Sequence, residues 1–347
     1  MLQLYYFVIA PLGMILLSFL YLQFAKKFNI YDHPVGRSSH VNVTITGYGI
    51  FVLFALLVYS VIYPYTLPSF FIIGLVMIST ISFIDDIVFI KHFIRLIFQI
   101  FALTLMAIDL PFSYIAMDKL PLIIAAIIFG IGVLNAFNFM DGINGMLGLN
   151  SLVILFSFWW LNNHSVDENG ANINFINNEF IYTLIIGVSL FVILNVRKKA
   201  IVFAGDVGSI SIAFVIFYLM LNLIFKTGNY AYLLLFVVIG IDAGLTVIFK
   251  LLLRENIFVP HRDFLFKKLV HVGKFKHVNV SLIYASIQAI ISFIVIVLPL
   301  QNKLPAQLSI LFIFVVGLCA AYIITRNKYT KKRVIKYLRE DRDDEEV

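Results

Sequence analysis

Four short stretches hold most of the side chains that could do chemistry. They are the adjacent carboxylates Asp85 and Asp86; Asn135, Asn138 and Asp141 in NAFNFMDGING; Asp206 in AGDVGS; and His261, Arg262 and Asp263 in PHRDFLFKKL. Asn135, Asn138 and Asp141 recur at i, i+3 and i+6, which sets them on one face of a helix. Neighbouring carboxylates at the end of a helix repel each other and meet the wrong end of its dipole. A divalent cation or a shared proton would relieve both costs. Mg²⁺ suits such a place, because it takes one or two carboxylates together with water and substrate phosphate. Arg grips phosphate in a bidentate fork, and Gly205 and Gly208 allow close backbone approach at a helix N-terminus, where anions are favoured. Taken singly, each stretch has a plainer reading: a solvated helix end, an Asn-rich turn, an N-cap by Asp206 or Ser209, a basic membrane anchor. Taken together they suggest metal-assisted phosphoryl transfer.

The elements that position these groups are membrane spans. The 347 residues are 61% hydrophobic and 13% charged, with a mean hydropathy of +0.98, against roughly 45–50% apolar and 25% charged in soluble chains. That excludes a soluble enzyme, a disordered chain and a disulfide scaffold. The net charge of +7 is not gathered on a polar domain, so no nucleic-acid partner is expected. Cys319 is the single cysteine and sits in an apolar run, so it reads as a small hydrophobe. Spans of about 17–25 apolar residues are expected at 2–24, 47–63, 67–84, 94–109, 119–136, 146–161, 180–195, 208–225, 230–252, 279–299 and 304–324. The fold class is therefore all-α, a polytopic membrane protein of about eleven helices, with residues 1–325 as one catalytic domain and 326–347 as a charged tail. The first run lacks a basic flank and a small-residue cleavage site and reads as a retained helix. With the N-terminus outside, 23 of the 26 Lys and Arg lie on the cytoplasmic side, the arrangement the positive-inside rule favours. Asp85–Asp86, Asp141, Asp206 and the His261 loop then share the cytoplasmic face.

In this order, SFIDDIVFIKHFIRL, NAFNFMDGING, AGDVGS and PHRDFLFKKL resemble the motifs of the polyprenyl-phosphate N-acetylhexosamine-1-phosphate transferases, a glycosyltransferase family 4 type that includes the peptidoglycan translocase and enzymes initiating O-antigen and teichoic-acid linkage synthesis. The resemblance runs from HPVGRSSH near residue 33 to about residue 300. It implies transfer of a sugar 1-phosphate from a UDP-N-acetylhexosamine to undecaprenyl phosphate, with Mg²⁺ as cofactor (Mn²⁺ the alternative) and UMP as co-product. The location implied is the bacterial inner membrane, among its lipids, with a homodimer left as an option. Asp206 then resembles the main metal carboxylate and Asn138 the amide beside it. Asp85 and Asp86 resemble the catalytic acidic pair, with Asp85 the better candidate to position or deprotonate the lipid phosphate. Arg95 resembles a phosphate contact, Asn135 and Asp141 positions lining the nucleotide-sugar site, and His261 and Arg262 the loop that grips the diphosphate and selects the sugar.

The chain departs from its relatives in places. Asn144 stands where many carry Asp; VTITGYG replaces a PTPRGGG pattern, keeping Gly47 and Gly49; and Phe264 occupies the position of a second His. An apolar ring at Phe264 would favour a 6-deoxy N-acetylhexosamine. Asp242, the charge inside the ninth run, reads equally as a helix-packing group or a catalytic one. The competing class is a transporter or flippase of a lipid-linked or anionic solute, but its polar residues should line a route across the bilayer, whereas here they crowd one face. A CDP-alcohol phosphatidyltransferase would need a D-G-x2-A-R run, which the chain lacks.

Overall fold

The computed structural model describes residues 4–32, 43–64, 66–110, 120–165, 172–255, 263–298 and 303–345, with Tyr6 and 331–345 as backbone only. Among the described residues the regular structure is helical apart from one short hairpin. Its helices are α1 (Ala10–Lys27), α2 (Phe51–Ile62), α3 (Ser69–Ile87), α4 (His92–Asp109), α5 (Leu120–Met140), α6 (Met146–His164), α7 (Asn178–Asn195) and α8 (Gly205–Thr227). They continue as α9 (Val237–Leu252), α10 (Leu265–His271), α11 (His277–Val297) and α12 (Leu304–Glu345).

Among the described residues, nine helices are long and apolar enough to cross a membrane. The two expected runs outside that set fall on a 3-10 turn continued by α2, Tyr48–Ile62, and on α6. The first is short, and α6 is diluted by the buried polar residues Asn150, Ser151, Ser157 and Asn162. Helix α5 ends four residues later than the apolar run at 119–136 suggests, and α8 begins three residues before the run at 208–225. Both shifts bring motif residues into helical turns. The backbone of α12 continues without a break from Leu304 past the expected tail boundary at 325/326.

Helix α8 is the hub of the bundle, buried along nearly its whole length, whereas α12 over Leu304–Thr330 has few fully buried residues. Outward apolar surface is the normal state of a helix facing lipid, where burial supplies little drive for packing. Helices approach through small residues instead. Ser79 on α3 hydrogen-bonds Ser211 on α8 at 2.6 Å, and a side chain added at Gly74 would come within 3.1 Å of Phe214. Gly228, at φ +62°, stops α8 in the left-handed conformation, its N–H bonding to the carbonyl of Ile224.

One connection controls where α8 starts. Strands β1 (Tyr31–Asp32) and β2 (Thr44–Ile45) pair antiparallel, and Ile45 bridges in parallel to Val202. The backbone then runs alongside the entry to α8, with Tyr48 N–H to Phe203 O at 3.0 Å and Gly49 N–H to Ala204 O at 2.8 Å. A Cβ on Gly49 would lie 1.8 Å from the Gly208 Cα. Only glycine permits that approach, so Gly49 of TGYG and Gly208 of GDVGS serve backbone contact with each other.

Candidate active site

The C-terminal ends of α3 and α5, the N-terminal end of α8 and the side of α10 meet around one cleft of about 520 Å³. Asp85, Asp86, Asn138, Asp141 and Asp206 all line it, together with Asn144, Asn195, Lys267 and His277. Three of the four motif stretches, distant in sequence, therefore bring singled-out residues to one site, and the fourth contributes Lys267. His261 and Arg262 lie outside the described residues, as does the HPVGRSSH segment. The neighbouring stretch 263–271 is placed, and it brings Lys267 to the cleft.

The two adjacent carboxylates have different surroundings. Asp85 accepts the Ile90 N–H at 2.7 Å through one oxygen, closing the α3–α4 turn. Through the other it pairs with Arg95 Nη1 at 2.6 Å. The same Nη1 lies 2.7 Å from Asp206 Oδ2, so one guanidinium nitrogen bridges the carboxylates of α3 and α8. Asp86 turns to the start of α8. Its oxygens accept the N–H groups of Asp206 at 2.7 Å and Val207 at 3.1 Å. An anion at a helix N-terminus satisfies free donors and complements the dipole, so Asp86 caps the helix that carries Asp206. Gly205, at φ +72°, makes room, since a Cβ there would stand 2.5 Å from Asp86 Oδ2.

Asp206 is the most open of the bridged groups, its side chain 28% exposed against 6% for Asp85. Asn138 is its side-chain amide partner. Asp141 sits just beyond α5, where burial first, and the Asp206 carboxylate second, push its carboxyl up to about 7. The turn after it is held from several sides. Gly145 N–H donates to Asn195 Oδ1 at 2.6 Å, and Ser281 Oγ donates to the Asn144 carbonyl at 2.9 Å. The Asn144 amide donates to the Arg197 carbonyl at 2.8 Å. An Asp cannot make that last bond, which gives the Asn144 departure a structural reason.

Two expectations change. Asn135 does not line the cleft: one turn deeper on α5, its amide donates to Gln99 Oε1 at 3.0 Å and to the Ile131 carbonyl at 2.8 Å. The i, i+3, i+6 spacing is satisfied, but Asn135 joins α5 to α4. Phe264 is likewise not among the cleft residues. It is 6% exposed, with its ring centroid 5.7 Å from Phe139 and 5.8 Å from Phe266. Lys267 and His277 were not singled out in the sequence. Lys267 looked like one more positive-inside residue, and His277 has no motif around it.

A hard cation fits this donor set. Carboxylates and an amide from three helices face one cleft, and a positive group, Arg95 Nη1, already stands between two of them. Among the described residues no group of three or more His, Cys, Asp or Glu forms an all-protein cage. Mg²⁺ does not require one, since it keeps water and substrate phosphate as ligands.

The fold and cleft define a polytopic helical membrane protein with a polar, anionic site gathered at one end of the bundle. The family model of glycosyl transferase family 4 matches residues 68–224, from the start of α3 to near the end of α8, so over this part the chain is similar to that family. No curated protein matches the chain. The matched stretch holds the cleft residues Asp85, Asp86, Asn138, Asp141 and Asp206 together with Arg95, while Lys267 lies beyond it.

Proposed function

We propose that the protein transfers a sugar 1-phosphate from a UDP-N-acetylhexosamine to undecaprenyl phosphate, at the cytoplasmic face of the bacterial inner membrane, as the first membrane step of a cell-surface glycan. The observation that carries this reading is the Asp85–Arg95–Asp206 bridge, at 2.6 and 2.7 Å, within the matched region. Carboxylates suited to a cation and a guanidinium suited to phosphate share that small space, which supports the reading.

In this reading an oxygen of the lipid phosphate attacks the β-phosphorus of the nucleotide sugar. The bond from that phosphorus to the bridging oxygen breaks, and UMP leaves with the electron pair. Atoms and charge balance without a redox partner. Mg²⁺, held by Asp206 with Asn138 beside it, would neutralise diphosphate charge when bound. Arg95 offers five donors in a fixed fork, enough to keep a carboxylate while gripping a phosphate. Asp85 orients Arg95 and stands where the acceptor phosphate would enter, and Asp86 keeps Asp206 in place through the first turn of α8. Catalysis here is positioning and charge stabilisation.

Eleven crossings with the N-terminus outside fit the reading: the nine apolar helices, the Tyr48–Ile62 segment and α6. That orientation puts the cleft and 23 of the 26 basic residues on the cytoplasmic side, where nucleotide sugars are made. The test is purified protein with undecaprenyl phosphate and a panel of UDP-N-acetylhexosamines, with and without Mg²⁺. The reading expects a lipid-diphosphate-sugar only when lipid phosphate, donor and metal are all present. No lipid product with any donor would overturn it.

A further inference from the structure

We propose that Asp242, buried in α9, is a positioning residue for transfer: it fixes α10 so that Lys267 stands in the cleft as a cationic contact for the donor's diphosphate. The proposal rests on the transferase reading.

Asp242 is 2% exposed and far along the sequence from every cleft residue. It accepts the Leu265 N–H at 3.0 Å through one oxygen. The other oxygen accepts the Phe266 N–H at 3.2 Å and the Tyr284 hydroxyl at 2.7 Å. Thr246 adds a longer bond at 3.4 Å, and its own hydroxyl meets Tyr322 on α12 at 2.8 Å. A charge kept inside a span is costly and persists where donors compensate it. Here the donors come from α9, α11 and the first turn of α10, a segment that would otherwise be a short helix in a polar connection. Seven residues are too few for a helix to hold its own shape in water. The carboxylate therefore supplies what α10 lacks, a fixed partner for its free N–H groups.

The next residue along is Lys267. Its ammonium lies 5.5 and 5.8 Å from the ring centroids of Phe264 and Phe266, and it lines the cleft. Gly142, directly after Asp141, lets α10 close in: a Cβ there would come within 2.9 Å of Lys267 Cε and 3.0 Å of the Phe266 ring. The cleft is otherwise heavily anionic, with Asp85, Asp86, Asp141 and Asp206 facing it and Arg95 shared between two of them. A diphosphate entering such a site needs a further cation, and the geometry brings Lys267.

Three variants test this, in detergent-solubilised full-length protein: Asp242→Asn, Tyr284→Phe and Lys267→Gln. An Asn side chain has one acceptor oxygen where the carboxylate serves several donors. Asp242→Asn is expected to speed hydrogen exchange at residues 265–271 by at least about tenfold while the first turn of α8 keeps its protection, with Tyr284→Phe giving a smaller change in the same segment. It should also raise KM for the nucleotide sugar about tenfold with a smaller effect on kcat. Lys267→Gln should raise KM to a similar extent without changing exchange. The double variant Asp242→Asn with Lys267→Gln should be no worse than either single one. Unchanged exchange in Asp242→Asn, faster exchange with unchanged KM, or additive losses in the double variant would each overturn the proposal. A wild-type protein that makes no lipid product would instead overturn the transferase reading, and the exchange comparison would still decide whether Asp242 anchors α10.

Discussion

Asp86→Asn should separate a structural carboxylate from its neighbour in the same acidic pair. Each oxygen of Asp86 accepts one N–H at the start of α8, from Asp206 at 2.7 Å and from Val207 at 3.1 Å. Asn keeps one of these bonds and turns an NH₂ group toward the other N–H. Losing the anion from the helix end costs about 0.3–1 kcal/mol. Leaving one donor facing another costs about 1–3 kcal/mol if buried, and Asp86 is only half-buried. Removing one carboxylate from a crowded site returns part of this, so the net loss should be about 1–2 kcal/mol. The first turn of α8 should loosen, and activity should fall because Asp206 moves with it. Asp206→Asn is the control: it should leave stability intact while reducing turnover at least about 100-fold, or ~2.7 kcal/mol in the barrier. Thermal unfolding in detergent and hydrogen exchange at residues 205–210, run beside activity, distinguish the two. If Asp86→Asn unfolds and exchanges like the wild type yet loses as much activity as Asp206→Asn, Asp86 acts on substrate and the capping argument is wrong.

Gly49→Ala should abolish stable folding, because its Cβ would be driven to 1.8 Å from the Gly208 Cα; a purified, monodisperse variant would contradict the backbone contact. Burial and the Asp206 carboxylate raise Asp141 to about 7. Between the ordinary carboxyl range and that value, the unfolded chain gives up a proton the folded protein keeps, so metal-free protein should lose stability as pH rises through this window. Asp141→Asn should flatten that slope in melting curves taken from pH 5 to 7.5, and equal slopes would refute the assignment. Cysteines introduced next to Asp85, Asp141 and Asp206 should resist an impermeant thiol reagent in intact cells and react after permeabilisation. Labelling of any one of them from outside would break the proposed orientation.

The membrane class was legible because runs of about 20 apolar residues have few other uses. The convergence of Asp85, Asp86, Asn138, Asp141 and Asp206 was legible because carboxylates and amides at span ends are costly unless they work together. Individual roles were less legible. Asn135 fits the spacing of its neighbours, but a helical face is wide enough for one residue to bond an adjacent helix, here Gln99. Phe264 was read as a sugar contact from its place in a motif, and what it meets in three dimensions is Phe139 and Phe266. The pairing of residues 45–49 with 202–204 left no periodic signal, since it consists of backbone bonds. Lys267 was hidden among six basic residues between α9 and α11 that all fit the positive-inside rule. The anchoring of α10 by Asp242 could be suspected from a lone carboxylate in a span, but its partners, the N–H groups of Leu265 and Phe266, could not be named.

The central claim is that the cleft moves a phosphorylated sugar, so the bond that breaks lies between the two phosphates of the donor. The nucleotide released by purified protein, resolved by chromatography alongside the lipid product, reports that bond directly. The account predicts UMP, one for each lipid-diphosphate-sugar formed, and none without lipid phosphate. Release of UDP would mean that the sugar moves without its phosphate, and would contradict it.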